Sequence, residues 1–144
     1  MSYKDGPYVQ VACFCDSVIE DKSGVLSIIR LIDTIVQNAS GENPPEELAP
    51  FIQKLNLVIT LKSGKARGRN TLKVIPELPT GESRDPILLT AYFEGEEKGQ
   101  NFILNIQFDF RFEGLHWFHV FIGDEELTSV PIRIRYQRTV TKIG

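Results

Sequence analysis

Residues 102–112 read FILNIQFDFRF, and this stretch decides the fold class. Its apolar residues occupy every second position: Phe102, Leu104, Ile106, Phe108, Phe110 and Phe112. A strand that packs one face on a core requires this period of two, because successive side chains point to opposite faces. We therefore predict a β-strand over 102–112 whose phenylalanines face a core.

The same alternation recurs along the chain and predicts further strands over 55–62 and 130–136, with weaker patterns at 8–15, 70–75 and 87–93. In 8–15 we place Val9, Val11 and Cys13 in phase on one face. In 130–136, Arg133 and Arg135 point outward. The run Leu115–Ile122 is apolar on both faces, which is typical of a strand in the middle of a sandwich or at an interface.

The segment 25–36 fits a helical period and a strand period equally well, but its many Val and Ile residues favour a strand at about 25–32. Residues 37–50 are predicted to form a long connection. Glycine-containing turns separate the strands, and 112–115 has the features of a tight hairpin. About eight short strands predict an all-β, mostly antiparallel sandwich that occupies residues 1–144 as one domain.

Net charge, apolar stretches and cysteine spacing indicate which partners and which cellular location to expect. The 144 residues carry a net charge of −3, so nucleic acid would have to be bound by a local basic patch, and we predict no nucleic-acid partner. We see neither a signal peptide nor an apolar stretch long enough for a membrane span. Cys13 and Cys15 are too close for an unstrained disulfide, which predicts free thiols and a cytoplasmic location.

Metal binding and catalysis are both weakly supported. A zinc site made from Cys13, Cys15 and His116 or His119 is conceivable, but the spacing fits poorly. His116 and His119 are three residues apart, which on a strand sends them to opposite faces. We expect the cysteines to be small core residues, His119 to pack beside Trp117, and His116 to be partly exposed. No GxSxG motif is present. We predict no metal, no cofactor and no enzymatic activity.

A basic stripe formed by Arg133 and Arg135 could meet an anionic partner or guard an edge strand. Together with His116 and Trp117, these arginines are our candidate interaction surface. Two further basic groups lie elsewhere in the sequence: Lys62, Lys65, Arg67, Arg69 and Lys73 around one loop, and Arg138 with Lys142 in the tail.

Several longer motifs resemble a known family. They are CDSVIEDKSGVLSIIRLIDTI (15–35), NLVITLKSG (56–64), LKVIPELPTGE (72–82) and GLHWFHVFIGDEELTSVPIRI (114–134). Together they resemble an uncharacterised bacterial domain-of-unknown-function family of small immunoglobulin-like β-sandwich proteins. The resemblance implies an immunoglobulin-like sandwich of about 7–9 strands, and it transfers no site residue.

These observations favour a non-catalytic binding module with an unknown protein partner. A second hypothesis is a self-associating structural subunit that uses the doubly apolar run Leu115–Ile122. A metal-binding protein or a hydrolase comes third.

Overall fold

The computed structural model describes residues 5–142. These residues form nine strands: β1 (Tyr8–Glu20), β2 (Leu26–Ile32), β3 (Thr34–Gly41), β4 (Phe51–Gly64), β5 (Gly68–Glu77), β6 (Ile87–Phe93), β7 (Glu96–Phe110), β8 (Gly114–Ile122) and β9 (Glu125–Val140). None of the described residues belongs to a helix that is long and apolar enough to cross a membrane.

The strands form two sheets that pack face to face. One sheet has four strands in the order β2-β1-β4-β7, and the other has five in the order β3-β9-β8-β5-β6. Neighbouring strands run antiparallel except β3 and β9, which are parallel. The predicted all-β, mostly antiparallel sandwich is confirmed.

The core consists of the inward-facing apolar side chains of both sheets, and aromatic rings meet at its centre. The ring centroid of Phe118 on β8 lies 4.9 Å from that of Phe14 on β1 and 5.2 Å from that of Phe108 on β7. Because these contacts cross from one sheet to the other, they join the two sheets directly. Each such aromatic pair contributes about 0.5–1.5 kcal/mol beyond the burial of its area.

The alternation in β1 reverses at a β-bulge. Val9 pairs with Leu61 and Val11 pairs with Thr60, so two steps along β1 correspond to one step along β4. A bulge inserts one residue into a strand and thereby exchanges the faces of all residues beyond it. The prediction that Val9, Val11 and Cys13 share one face is therefore wrong.

Beyond the bulge, Phe14 enters the core, whereas Cys13 and Cys15 lie on the outer face of the four-stranded sheet. Cys15 is 1% exposed all the same, and Cys13 is half-buried. The expectation that the cysteines are core residues is confirmed for Cys15, which is buried, and wrong for Cys13, which is half-buried. Both thiols are free, as predicted.

The ambiguous segment 25–36 contains two strands and changes sheets at Asp33, which lies between them. β2 pairs with β1 in the four-stranded sheet, and β3 pairs with β9 in the five-stranded sheet. The carbonyl oxygen of Asp33 accepts a hydrogen bond of 2.9 Å from the backbone N–H of Arg133. The preference for a strand is confirmed, although β3 continues to Gly41, into the segment for which we predicted a connection.

The prediction of a hairpin at 112–115 is wrong, because this segment connects the two sheets. β7 ends at Phe110 in the four-stranded sheet and β8 begins at Gly114 in the five-stranded sheet. Phe112 therefore lies outside the strand and is 40% exposed. The turn residues indicated correctly that the chain reverses, but such residues do not specify whether the next strand pairs with the last one or crosses the core.

Arg133 and Arg135 point outward from β9, as predicted. β9 pairs with β8 on one side and with β3 on the other, so it is an inner strand of the sheet. The prediction that these arginines guard an edge strand is therefore wrong.

His116 is a core residue with 1% of its surface exposed. Its ring makes edge contacts with Phe110 and Phe108, at centroid distances of 5.0 and 6.4 Å. Nδ1 lies 3.4 Å from the carbonyl oxygen of Gly114, and Nε2 has no hydrogen-bond partner in the described part of the chain. The expectation of a partly exposed His116 is wrong, because the even-numbered residues of β8 all face inward.

We predict that His116 makes the fold less stable as the pH falls. Burial lowers the pKa of His116, the hydrogen bond to Gly114 opposes this effect, and Arg84 adds to it. The unfolded chain therefore takes up a proton at a higher pH than the folded chain. The contribution of His116 to the free energy of unfolding is therefore complete above the unfolded pKa of about 6.5, and it declines as the pH falls below that value. In urea titrations between pH 7 and pH 5, H116L should lose less stability than the parent protein.

The matched control is F118L, a buried substitution on the same strand without a titratable group. It should lower the free energy of unfolding at every pH and leave its slope with pH unchanged. An equal slope for H116L and the parent protein would refute this role of His116.

Candidate functional site

The outer face of the five-stranded sheet carries a group of aromatic, basic and hydrogen-bonded polar side chains. On β8, Trp117, His119 and Phe121 follow one another on this face, and cross-strand neighbours flank them on β5 and β9. Trp117 lies between Glu77 and Pro131, and His119 lies between Ile75 and Ser129. We call this surface the His119 face, and it comprises Lys73, Ile75, Glu77, Leu115, Trp117, His119, Phe121, Glu126, Ser129, Pro131, Arg133 and Arg135.

His119 is the centre of a hydrogen-bonded network. Its Nδ1 lies 2.6 Å from Ser129 Oγ and 3.0 Å from Glu126 Oε1, and its Nε2 lies 3.1 Å from Glu77 Oε1. The hydroxyl of Ser129 donates a hydrogen bond of 2.6 Å to Glu126 Oε1. The imidazole ring therefore has a carboxylate on either side and cannot turn without breaking several hydrogen bonds.

Side chains from three strands meet in this network. Glu77 lies on β5, His119 on β8, and Glu126 and Ser129 on β9. The hydrogen bonds from His119 to Glu77 and to Ser129 therefore connect the three strands across the sheet.

The order Ser129, His119 and Glu77 has the connectivity of a Ser-His-acid triad, but its surroundings differ from those of a hydrolase. The Ser129 hydroxyl is directed at Glu126, which competes with the histidine for it. Ser129 also lies inside β9, and the N–H groups of a sheet point in its plane toward neighbouring strands. An oxyanion requires N–H donors that converge above the hydroxyl.

Aromatic and basic groups surround the network. The rings of Trp117 and His119 are stacked at 6.5 Å with an interplanar angle of 10°, which confirms the predicted packing of these two residues. Lys73 Nζ lies 5.2 Å from the centre of the Phe121 ring. Within residues 5–142, no carboxylate lies within 4 Å of the guanidinium of Arg133 or Arg135. These two cations are available to an anionic group.

The structure brings together three of the four residues of the predicted interaction surface. Trp117, Arg133 and Arg135 share the His119 face, whereas His116 points into the core from the other face of β8. His116 is therefore removed from the candidate site. His119 replaces it, and strand alternation was the signal that could have identified it, because His119 has the same parity as Trp117.

The conceivable zinc ligands do not meet. Cys13 and Cys15 lie on the outer face of the four-stranded sheet, and the backbone of that sheet separates them from His116 in the core. No three His, Cys, Asp or Glu side chains of residues 5–142 are grouped so that they could hold a metal ion. Burial raises the pKa of both thiols, so they are neutral at neutral pH.

Two cavities of the described chain have fewer unpaired polar groups than the His119 face. One of about 480 Å³ lies beside Lys65 and Arg67, but these cations pair with Asp5 at 3.1 Å and Glu96 at 3.3 Å. A groove of about 450 Å³ runs between the edges of β6 and β7 and has an uncharged lining. Neither cavity concentrates unpaired polar groups on one point.

We predict that Ser129 controls the ionisation of Glu126. The hydrogen bond from the Ser129 hydroxyl lowers the pKa of the Glu126 carboxyl, with a smaller effect from His119. S129A should therefore raise this pKa, as followed by NMR titration of the Glu126 side-chain carboxyl. T128A, the neighbouring substitution outside the network, should leave it unchanged. An unaltered Glu126 titration in S129A would show that the hydroxyl bond does not form.

Comparisons with solved structures find matches at low sequence identity. An immunoglobulin-like protein from Pseudomonas aeruginosa is 14% identical over 93% of this chain and 100% of its own, with a TM-score of 0.41. A β-glucosidase from Listeria innocua in complex with glucose is 16% identical over 60% of this chain, with a TM-score of 0.40. The alkylpurine DNA glycosylase AlkC from Pseudomonas fluorescens, bound to DNA containing an abasic site analog, is 17% identical over 68% of this chain, with a TM-score of 0.37.

The chain spans 16% of the length of the glucosidase and 27% of that of the glycosylase. No curated protein matches the sequence. The model of the Family of unknown function (DUF6941), in contrast, matches residues 10–135, which is most of the chain. The predicted resemblance to a family of unknown function is confirmed: the chain belongs to the DUF6941 family.

Proposed function

We propose that this protein is a non-catalytic binding module that holds a protein partner on the His119 face. The observation that carries the proposal is the composition of this face. Trp117, Phe121 and Ile75 lie half-buried on the outer side of a sheet, where solvent-facing residues are ordinarily polar. An apolar centre within a charged rim is the usual anatomy of a protein interface.

The residue types support a protein partner. Trp and Arg are enriched among the residues that contribute most to binding energy, and Trp117 lies among charged residues of the same face. The network around His119 fixes the polar side chains, so binding would cost little side-chain entropy. The unpaired guanidiniums of Arg133 and Arg135 favour a partner that presents carboxylates beside an apolar patch.

The absence of catalysis is part of this proposal and is supported by the surroundings of Ser129. Its hydroxyl is engaged by Glu126, and the sheet directs the backbone donors into its own plane. A binding face needs neither an activated nucleophile nor a converging set of N–H groups. It needs a rigid surface, and the inner strands β8 and β9 supply one.

Site-specific photo-crosslinking in the native host tests the proposal. Benzoylphenylalanine in place of Phe121 should yield one discrete adduct with another protein. The same group in place of Phe112, which lies on the connection between the sheets, should not. With the captured partner purified, W117A should weaken binding by at least ~30-fold, because truncating a central interface aromatic costs about 2 kcal/mol or more.

The two arginines are tested by charge reversal. R133E/R135E should reduce the association rate and its dependence on salt, whereas K54E on the outer face of the other sheet should leave both unchanged. An adduct formed from position 112 but not from position 121, or full affinity in W117A, would place the binding surface elsewhere. Turnover that survives purification and is lost in S129A would replace the binding module with a hydrolase.

A further inference from the structure

The outer face of the four-stranded sheet carries a group of large, exposed apolar side chains. Strand alternation places five large apolar side chains on it: Ile19, Ile29, Leu31, Ile52 and Ile103. Leu31 is 72% exposed, the highest value for any large apolar side chain described. We call this surface the four-stranded face.

An apolar band crosses all four strands of this face. Leu31 on β2 pairs with Cys15 on β1, and Cys13 pairs with Val58 on β4, which pairs in turn with Ile103 on β7. Val58 and Cys15 are already buried by their neighbours, at 0% and 1% exposed, while Leu31 and Ile103 at the two ends of the band are open. The centre of the face is therefore closely packed, and its exposed apolar side chains lie toward the two ends of the band.

The central rows of this face carry no charge. The polar residues between the apolar ones are amides and hydroxyls: Asn56, Thr60, Asn101 and Asn105. Burial raises the pKa of the Cys13 and Cys15 thiols, which keeps them neutral. Charged side chains appear toward the ends of the strands, at Lys54 and Lys62 on β4 and at Asp109 on β7. The buried hydroxyl of Thr60 has no hydrogen-bond partner in the described chain, which is unusual for a solvent-facing position.

We propose that the four-stranded face is the contact surface between two copies of this chain. A two-fold dimer brings the same patch of both copies together, so a charged face would repel itself. The central rows of this face have no charge to repel, and a partner rich in charged groups would lose their hydration without compensation. A second copy therefore fits it better than a charged protein, peptide or nucleic acid.

The size of the face is suitable for a stable dimer. Four strands spaced by about 4.8 Å and nine residues rising by about 3.3 Å each give a flat projection of roughly 19 by 30 Å. Two copies of this projection, about 570 Å² each, give about 1,140 Å² in total, which exceeds the roughly 1,000 Å² that a specific interface should bury. Two such sheets packed face to face would resemble the packing within one sandwich.

This arrangement leaves the His119 face of both copies free. The two sheets of one copy face in opposite directions, so a dimer through the four-stranded faces presents its two His119 faces on opposite sides. The assembly differs from the self-association through Leu115–Ile122 predicted from the sequence, because the inward half of that run is core and the outward half belongs to the His119 face.

Sedimentation velocity between about 1 and 500 µM tests the proposal. The parent protein should be a dimer, and L31E should raise the dimer dissociation constant by at least ~100-fold, because each interface would bury two unpaired charges. I103E, at the other end of the band, should act in the same way. The matched control is L88E, the same substitution at a 60% exposed leucine on the outer face of the other sheet, which should remain dimeric. Circular dichroism checks that each variant is folded.

Each alternative outcome overturns the proposal. A parent protein that stays monomeric over the whole range excludes the dimer. A dimer that persists in folded L31E and I103E but dissociates in L88E places the interface on the five-stranded sheet. The partner-binding experiments at Phe121 and Trp117 do not depend on this result, so the two proposals can fail separately.

Discussion

The packing of Phe14 and Phe108 from one sheet against Phe118 from the other is the contact on which the rest of the structure depends. These three rings join both sheets at the centre of the core, and they fix which residues of β1, β7 and β8 face inward. Once Phe118 is inside, Trp117 and His119 must be outside. Once Phe14 is inside, Cys13 and Cys15 must be outside. Both outer faces are therefore determined by the core.

The two outer faces differ in chemistry, although both contain apolar residues. On the five-stranded sheet, charged side chains are interleaved with aromatic rings, and two of them, Glu77 and Glu126, are hydrogen-bonded to His119. On the four-stranded sheet, the central positions hold aliphatic residues, thiols, amides and a hydroxyl. A protein surface that has both kinds of face can use the charged one for a specific partner and the uncharged one for a copy of itself, since charge provides discrimination against wrong partners.

Strand alternation predicted the inward residues of β4, β6, β7 and β9 well, because each of these strands packs one face on a single continuous core. It failed where a bulge exchanged the inward and outward positions of a strand, and where the next strand paired in the other sheet. The bulge in β1 has no glycine to mark it, and it moved Cys13 to the outer face. The turn before Gly114 indicated a reversal but not the crossing between sheets. The error at His116 was avoidable, because adjacent residues of a strand cannot share a face with each other.

The His119 network was not predictable from local pattern. Glu77, Glu126 and Ser129 are separated from His119 by 42, 7 and 10 residues, and only the register of β5, β8 and β9 brings them together. Arg133 and Arg135 were predicted correctly as an outward pair, but their position on an inner strand depends on the pairing of β3 with β9. That parallel pairing follows from the change of sheet at Asp33, and the sequence alone does not reveal it.

The most direct measurement of the central claim is a set of nuclear Overhauser effects between β1 and β8. The account predicts strong effects between the ring protons of Phe14 and Phe118, whose centroids are 4.9 Å apart, and none between the β-protons of Cys13 and Phe118. Effects from Cys13 to Phe118, with Phe14 showing none, would mean that β1 has no bulge and that its faces are exchanged. The assignment of both outer faces would then be contradicted.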